Sequence, residues 1–187
     1  MNYATFWPRF AAMWIDFFVL LPVGLLNLWG QSVSKPLAMA LVLPTAAFFS
    51  AYHIYCHGRF GQTIGKRVMG IRVARQNGEP IGWREAWMRS LVDLVFACLW
   101  SLSSFIALTS ISDVDYYGTD WRQRTHALIT LHPSWLLWTN TANRLWIWSE
   151  VVVMLFNKER RALHDFIAGT VVIRVEKSSI SPKPTGE

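Results

Sequence analysis

Four stretches of the chain are apolar over about 20 residues, the length a helix needs to cross a bilayer. Residues 10–29 are interrupted only by Asp16 and Asn27. Residues 37–56 carry His53 near their end, and residues 91–111 carry Asp93 near their start. Residues 135–156 are weaker, with Asn140, Asn143, Arg144 and Glu150 among them. The pattern predicts four membrane helices, the fourth open to a tilted, re-entrant or interfacial reading. The first run is no signal peptide: one basic residue precedes it, Asp16 lies inside it, and no small-x-small cleavage site follows.

Between the runs lie segments of contrasting character. Gly70-Ile-Arg-Val-Ala-Arg-Gln, then Asn77-Gly78, then Glu-Pro-Ile81 reads as a β-hairpin around a type I′ turn. Gly82-Trp-Arg-Glu-Ala-Trp-Met-Arg89 leads as an amphipathic segment into the third run. Gly169-Thr-Val-Val-Ile-Arg-Val175 reads as a further strand. A lone hairpin is marginal in water, so this strand is expected to pair with it in a small sheet. The segment 112–134 reads as a connection, and 178–187, with its Ser, Pro and Gly, as a frayed end. The expected architecture is an all-α membrane protein: a four-helix transmembrane bundle with a small cytoplasmic strand element, one domain over 1–177.

Composition agrees. Of 187 residues, 52% are hydrophobic and only 16% charged, where a soluble domain carries about 25% charged residues. Net charge is +6. The excess sorts with the apolar runs and is not a nucleic-acid footprint. Arg9, then Arg59, Lys66, Arg67, Arg72, Arg75, Arg84 and Arg89, then Lys158, Arg160, Arg161, Arg174, Lys177 and Lys183 fall on one side of four crossings. Lys35, Arg122, Arg124 and Arg144 fall on the other. The positive-inside rule places both termini and the 57–90 segment in the cytoplasm of a multi-pass cell-membrane protein. Trp7, Trp29, Trp83, Trp87, Trp135 and Trp138 fall near run ends, as headgroup anchors do. Trp14, Trp100, Trp146 and Trp148 lie deeper and read as packing residues.

Candidate chemistry is sparse. Gly61-Gln62-Thr63-Ile-Gly65-Lys66 falls short of a phosphate-binding loop, with one residue too few between the glycines and Arg67 where a hydroxyl is needed. Its glycines read as a tight turn at the membrane exit. His53 and His57 share a helix face, but Cys56 points about 60° off it and no acidic ligand is near, so no metal site is expected. No nucleophile triad or cofactor fingerprint occurs, and no enzyme or cofactor is expected. The membrane carboxylates are the exception, because a charge there must be paired, hydrated or protonated. Asp16, Asp93 and Glu150 are therefore the candidate ion-coupling groups. Arg89 and Asp93, at i and i+4, are expected to pair. Arg144 is on the opposite face from Glu150, which needs an interhelical or water contact. Arg9 and Asp165 are expected to clamp the tail onto the first helix.

Three segments together resemble the RDD family of small multi-pass bacterial membrane proteins. They are Phe6-Trp-Pro-Arg-Phe-Ala-Ala-Met-Trp-Ile-Asp16, Phe60-Gly-Gln-Thr-Ile-Gly-Lys-Arg-Val-Met-Gly-Ile-Arg-Val73 and Asn157-Lys-Glu-Arg-Arg-Ala-Leu-His-Asp-Phe-Ile-Ala-Gly-Thr170. The one arginine and two aspartates of the family's name map onto Arg9, Asp16 and Asp165. Some members are associated with cation/proton antiport. Two readings compete. One is a small transporter of a monovalent cation or proton in the bacterial inner membrane, acting as a homo-oligomer because four helices make a thin wall, with Asp16 as the coupled carboxylate. The other is a non-catalytic accessory or scaffold whose basic face meets lipid or a protein partner.

Overall fold

The computed structural model describes residues 1–175. The end expected to fray, 178–187, lies outside them, as do Lys177 and Lys183. Three helices are long and apolar enough to cross a membrane: α1 (Phe6–Val33), α2 (Lys35–Phe60) and α4 (Trp83–Ser110). Each outruns its apolar run, because a helix continues through polar ends that a bilayer excludes. The amphipathic segment at residue 82 is the first turn of α4 itself, with the Glu85 carboxylate accepting from the Gly82 amide at 2.8 Å. A single extended residue, Ser34, joins α1 to α2, and its hydroxyl accepts from the Leu37 amide at 3.3 Å.

The helices are inside out relative to a soluble bundle. Phe17, Phe18, Leu25, Leu26 and Leu28 are more than half exposed, while Asp16, His57, Arg89, Ser101 and Ser103 are buried. Water would penalise that distribution and lipid favours it. Trp14, Trp100 and Trp148 are also exposed, which corrects their reading as packing residues.

The expected four-helix bundle is met only in part. Among the described residues the chain has eight helices, three of them candidate spans. Helix α7 (Trp135–Phe156) matches the fourth run and is long enough, but its polar residues keep it out of that class. It packs on α4 and on the short α8 (Leu163–Ala168). The 112–134 connection holds two helices that the pattern did not reveal, α5 (Asp113–Tyr117) and α6 (Trp121–Leu131). Side chains of Ser112 and Asp120 cap them at 3.0 and 2.8 Å. Tyr116, Leu108, Ile111 and Ala38 form a small core there, against which Leu128 and Leu131 pack. The Tyr116 hydroxyl donates to the Gln31 carbonyl at 2.6 Å, which ties this segment to the α1–α2 turn.

At the opposite end lies the sheet. Strand β1 (Ile71–Arg75) pairs antiparallel with β2 (Thr170–Arg174), from Ile71 opposite Arg174 to Arg75 opposite Thr170. The tail strand thus pairs as expected. The hairpin's second arm does not form a strand; it is reduced to one bridge, Ala74 with Pro80. Nor is the turn type I′, which needs positive φ at both central residues. Gly78 has φ +87°, whereas Arg160 is the only non-glycine with positive φ among the described residues. Gly78 donates to the Arg75 carbonyl at 2.9 Å and Arg75 to that of Glu79 at 2.8 Å, closing a three-residue loop. The sheet thus has two strands, and the N-terminal residues add a bridge of their own, Tyr3 with Ile173. Ala4 donates to the Val172 carbonyl and Arg174 to that of Asn2, both at 2.9 Å. The N-terminal residues therefore flank β2, and Ala4, Ala12, Ile71, Val73, Ile81 and Val172 make one core under α1.

Candidate functional site

Asp16 sits where three elements meet. The short helix α3 (Ile64–Val68) folds back against α1, and Gly65 brings its amide to 2.8 Å from Asp16 Oδ1. Tyr52 of α2 donates to the same oxygen at 2.6 Å, and the Thr63 hydroxyl donates to Oδ2 at 2.6 Å. Thr63 also accepts from the Lys66 amide at 3.3 Å, so one hydroxyl caps α3 and binds the carboxylate. The Tyr52 oxygen likewise accepts from the Ile64 amide at 3.1 Å. Three donors on a buried carboxylate satisfy it without a bound ion. The loop glycines have different tasks. Gly61, with φ +69°, ends α2 as the expected turn residue. Gly65 makes no turn; it permits the close approach of α3 to α1. Gln62, between them, joins neither cluster of bonds among the described residues.

A second cluster surrounds Asp165, which is wholly buried. Its Oδ2 accepts from Arg9 Nη1 at 3.0 Å and from the Ala162 amide at 3.0 Å. Its Oδ1 accepts from Arg89 Nη1 and from the Thr170 hydroxyl, the latter at 3.2 Å. The expected Arg9–Asp165 clamp is thus present, but Arg89 shares the carboxylate. The expected Arg89–Asp93 pair is absent: Arg89 turns to Asp165, Thr170 at 2.6 Å and His164 Nε2 at 2.9 Å. A fully buried carboxylate between two guanidinium groups outcompetes a single one along the helix. Burial alone would raise the pKa of Asp165; Arg89, His164 and Arg9 overcome it and hold the carboxyl far below its usual range.

Beside this cluster, Lys66 Nζ lies 2.7 Å from His57 Nε2. Burial, with Arg89 and Arg9 nearby, pushes the Lys66 ammonium down to about 7, against the pull of Asp165 and Asp16. His53 bonds within its own helix, its Nδ1 lying 3.0 Å from the Phe49 carbonyl oxygen.

Asp93 and Glu150 belong to a third region. Asp93 is ten residues beyond Trp83, about 15 Å along α4, and Trp83 lies over Gly58 at the sheet end of α2. One Asp93 oxygen, Oδ1, accepts from Trp146 Nε1 of α7 at 3.2 Å. Glu150, one turn beyond Trp146, has the interhelical contact it needed: His164 Nδ1 bonds its Oε1. Because His164 Nε2 faces the guanidinium of Arg89, a donor only, the ring proton belongs on Nδ1, pointing at Glu150.

Above Asp93 opens a cleft of about 700 Å³, largely apolar but with polar side chains among its walls. Phe49, Ser50 and Phe96 surround its Asp93 end, Trp100, Asn140 and Asn143 line its middle, and Asn27 and Gln31 stand toward the far end. Helix α6 roofs it with Thr125, Leu128 and Ile129, and His132 Nδ1 lies 2.7 Å from the Ser103 hydroxyl at its edge. Glu150, His164, Arg89 and Asp165 do not line the cleft; Arg89 lies one turn before Asp93 on α4. Asp16 takes no part in lining it. The cleft was not legible in the sequence, although its signal was present: Asn27, Asn140 and Asn143 are polar positions inside apolar runs.

A family model described as the RDD family matches residues 3–169. No curated protein and no solved structure matches the chain. The matched span includes Arg9, Asp16 and Asp165, whose buried bonds hold α1, α3, α4 and α8 together. This chain belongs to the RDD family, whose members are small multi-pass membrane proteins.

Proposed function

We propose that this protein is a small membrane transporter that exchanges a cation for protons at Asp93. The observation that carries the reading is a cleft between helices with this carboxylate in its wall. Among the described residues Asp93 Oδ2 has no hydrogen-bond partner, while Trp146 holds Oδ1. Glu150 of α7, His164 of α8 and His53 of α2 lie near enough for their charges to act on Asp93. A proton and a cation compete for one carboxylate, so binding of either displaces the other, which is the minimum requirement for exchange. Asp93 takes this role in place of Asp16, whose oxygens are already engaged by Tyr52, Thr63 and Gly65.

In this reading α7 is the fourth crossing, and the sheet end, with most of the basic residues, faces the cytoplasm. The cleft then lies on the outer side of Asp93 beneath α6, and the layer of Arg9, Arg89, His164 and Asp165 lies on its cytoplasmic side. Copies of the chain complete the wall around the cleft.

Proteoliposomes loaded with a pH-sensitive dye test this. Proton movement is expected on adding Na⁺, K⁺ or tetraphenylphosphonium, and at least a tenfold loss of it in Asp93→Asn. No proton movement with any of the three cations, or undiminished movement in Asp93→Asn, overturns the reading.

A further inference from the structure

We infer that the cleft takes an organic cation with an aromatic-sized body, bound by charge at Asp93 and by aromatic faces around it. This rests on the cleft-and-Asp93 reading above and names its substrate class. Three observations point there.

Size is the first. A volume of about 700 Å³ lies within the range of about 300–1,000 Å³ that holds whole organic molecules. A dehydrated alkali ion needs only a close cage of oxygens.

The second is the composition of the walls. Phe49, Phe96 and Trp100 all line the cleft with Asp93. Aromatic faces attract cations through their quadrupole, and an ammonium or phosphonium group is weakly hydrated enough to exchange water for them. An alkali ion would instead be asked to leave water for hydrocarbon.

The third is the charge pattern. Among the described residues Asp93 is the one carboxylate lining the cleft, and the other polar groups there are hydroxyls, amides and an imidazole. A single negative charge, aromatic rings close to it and neutral hydrogen-bonding groups elsewhere in the walls match a singly charged amphiphilic cation. Anionic solutes meet a repulsive carboxylate, and uncharged ones leave it unpaired.

The probe is tritiated tetraphenylphosphonium, measured by equilibrium dialysis against the full chain in nanodiscs. Saturable binding is expected in wild type, at least tenfold weaker in Asp93→Asn and several-fold weaker in Trp100→Ala. The exposed Arg144→Gln should bind as wild type. Should Asp93→Asn fail to fold, wild-type binding should still fall as pH is lowered, since protons occupy the same carboxylate. Absent saturable binding in wild type, or binding unchanged in Trp100→Ala and unaffected by pH, overturns the inference. Proton exchange with Na⁺ or K⁺ but no tetraphenylphosphonium binding sinks the organic class and leaves transport standing. Binding without any proton exchange keeps the cation site and sinks transport.

Discussion

A methyl group on Gly65 would lie 2.0 Å from the carbonyl oxygen of Ala12 and 3.0 Å from the carboxyl carbon of Asp16. The obstacle is backbone, which cannot swing aside. Gly65→Ala therefore lifts α3 off α1 and takes its amide away from Asp16. The expected cost is about 3 kcal/mol, from overpacking and a lost bond to a charged group. A thermal melt in detergent checks it. A variant as stable as wild type would mean that α3 does not dock on α1 in this way.

The Asp165 carboxylate serves two arginines, and this decides how charge exchange should behave. Asp165→Asn leaves Arg9 and Arg89 without their counter-charge and is expected to cost about 3–5 kcal/mol. Exchanging the charges, Arg9→Asp with Asp165→Arg, is expected to recover little, because the introduced arginine would face Arg89. Full rescue would show that Arg89 is not a partner. The acid limb carries the same signature. A depressed pKa contributes stability above the ordinary carboxyl range and loses it only as pH falls through the folded value. Wild type should therefore hold that stability at mildly acidic pH, while Asp165→Asn lacks it throughout.

Lys66 predicts the opposite limb. Its ammonium, pushed down to about 7, releases its proton in the folded chain before the unfolded chain does. Between pH 7 and about 10 the unfolded state binds more protons, so stability rises with pH, by at most about 1.4 kcal/mol per unit. The melting midpoint of wild type is expected to climb over that window. In Lys66→Met this component of the climb should vanish, and an identical slope in both proteins would place the lysine in water.

Accessibility separates cleft from lipid face. In a background with Cys56 and Cys98 replaced by serine, a cysteine substituted for Asn143 should react with a membrane-impermeant thiol reagent. One substituted for Leu145, 66% exposed on the outside of α7, should not, because lipid covers it. Equal labelling of the two would show that the cleft is not a water-filled space within the bilayer.

The long apolar helices were legible in the sequence because lipid imposes a length and a composition that a single window can read. The Arg9–Asp165 clamp was legible because both charges mark the same level of the membrane. The sharing of Asp165 by Arg89 was not, since an i, i+4 spacing made Asp93 look like the natural partner. Asp16 shows the same limit. Its position in an apolar run revealed that it needed donors, but Tyr52, Thr63 and the Gly65 amide come from two other segments, and only the fold-back of α3 gathers them. Helices α5 and α6 escaped notice because their caps, Ser112 and Asp120, precede segments too short and polar for a membrane pattern. The N-terminal bridge escaped because Asn2 to Ala4 carry no strand-like alternation; their pairing depends on the open edge of β2.

That edge has a temporal consequence. On the ribosome the chain is made from Met1 onward, so Asn2, Ala4, Arg9 and Arg89 are all in place before Thr170–Arg174 exists. Strand β2 then pairs with β1 and takes up the N-terminal residues on its other edge, just after Asp165 supplies the charge between the two arginines. The sheet end is sealed by the last described stretch to be synthesised, and a chain interrupted before residue 162 has all of its long helices, two unneutralised guanidinium groups and no latch. Closure of this end waits on residues that follow every long helix.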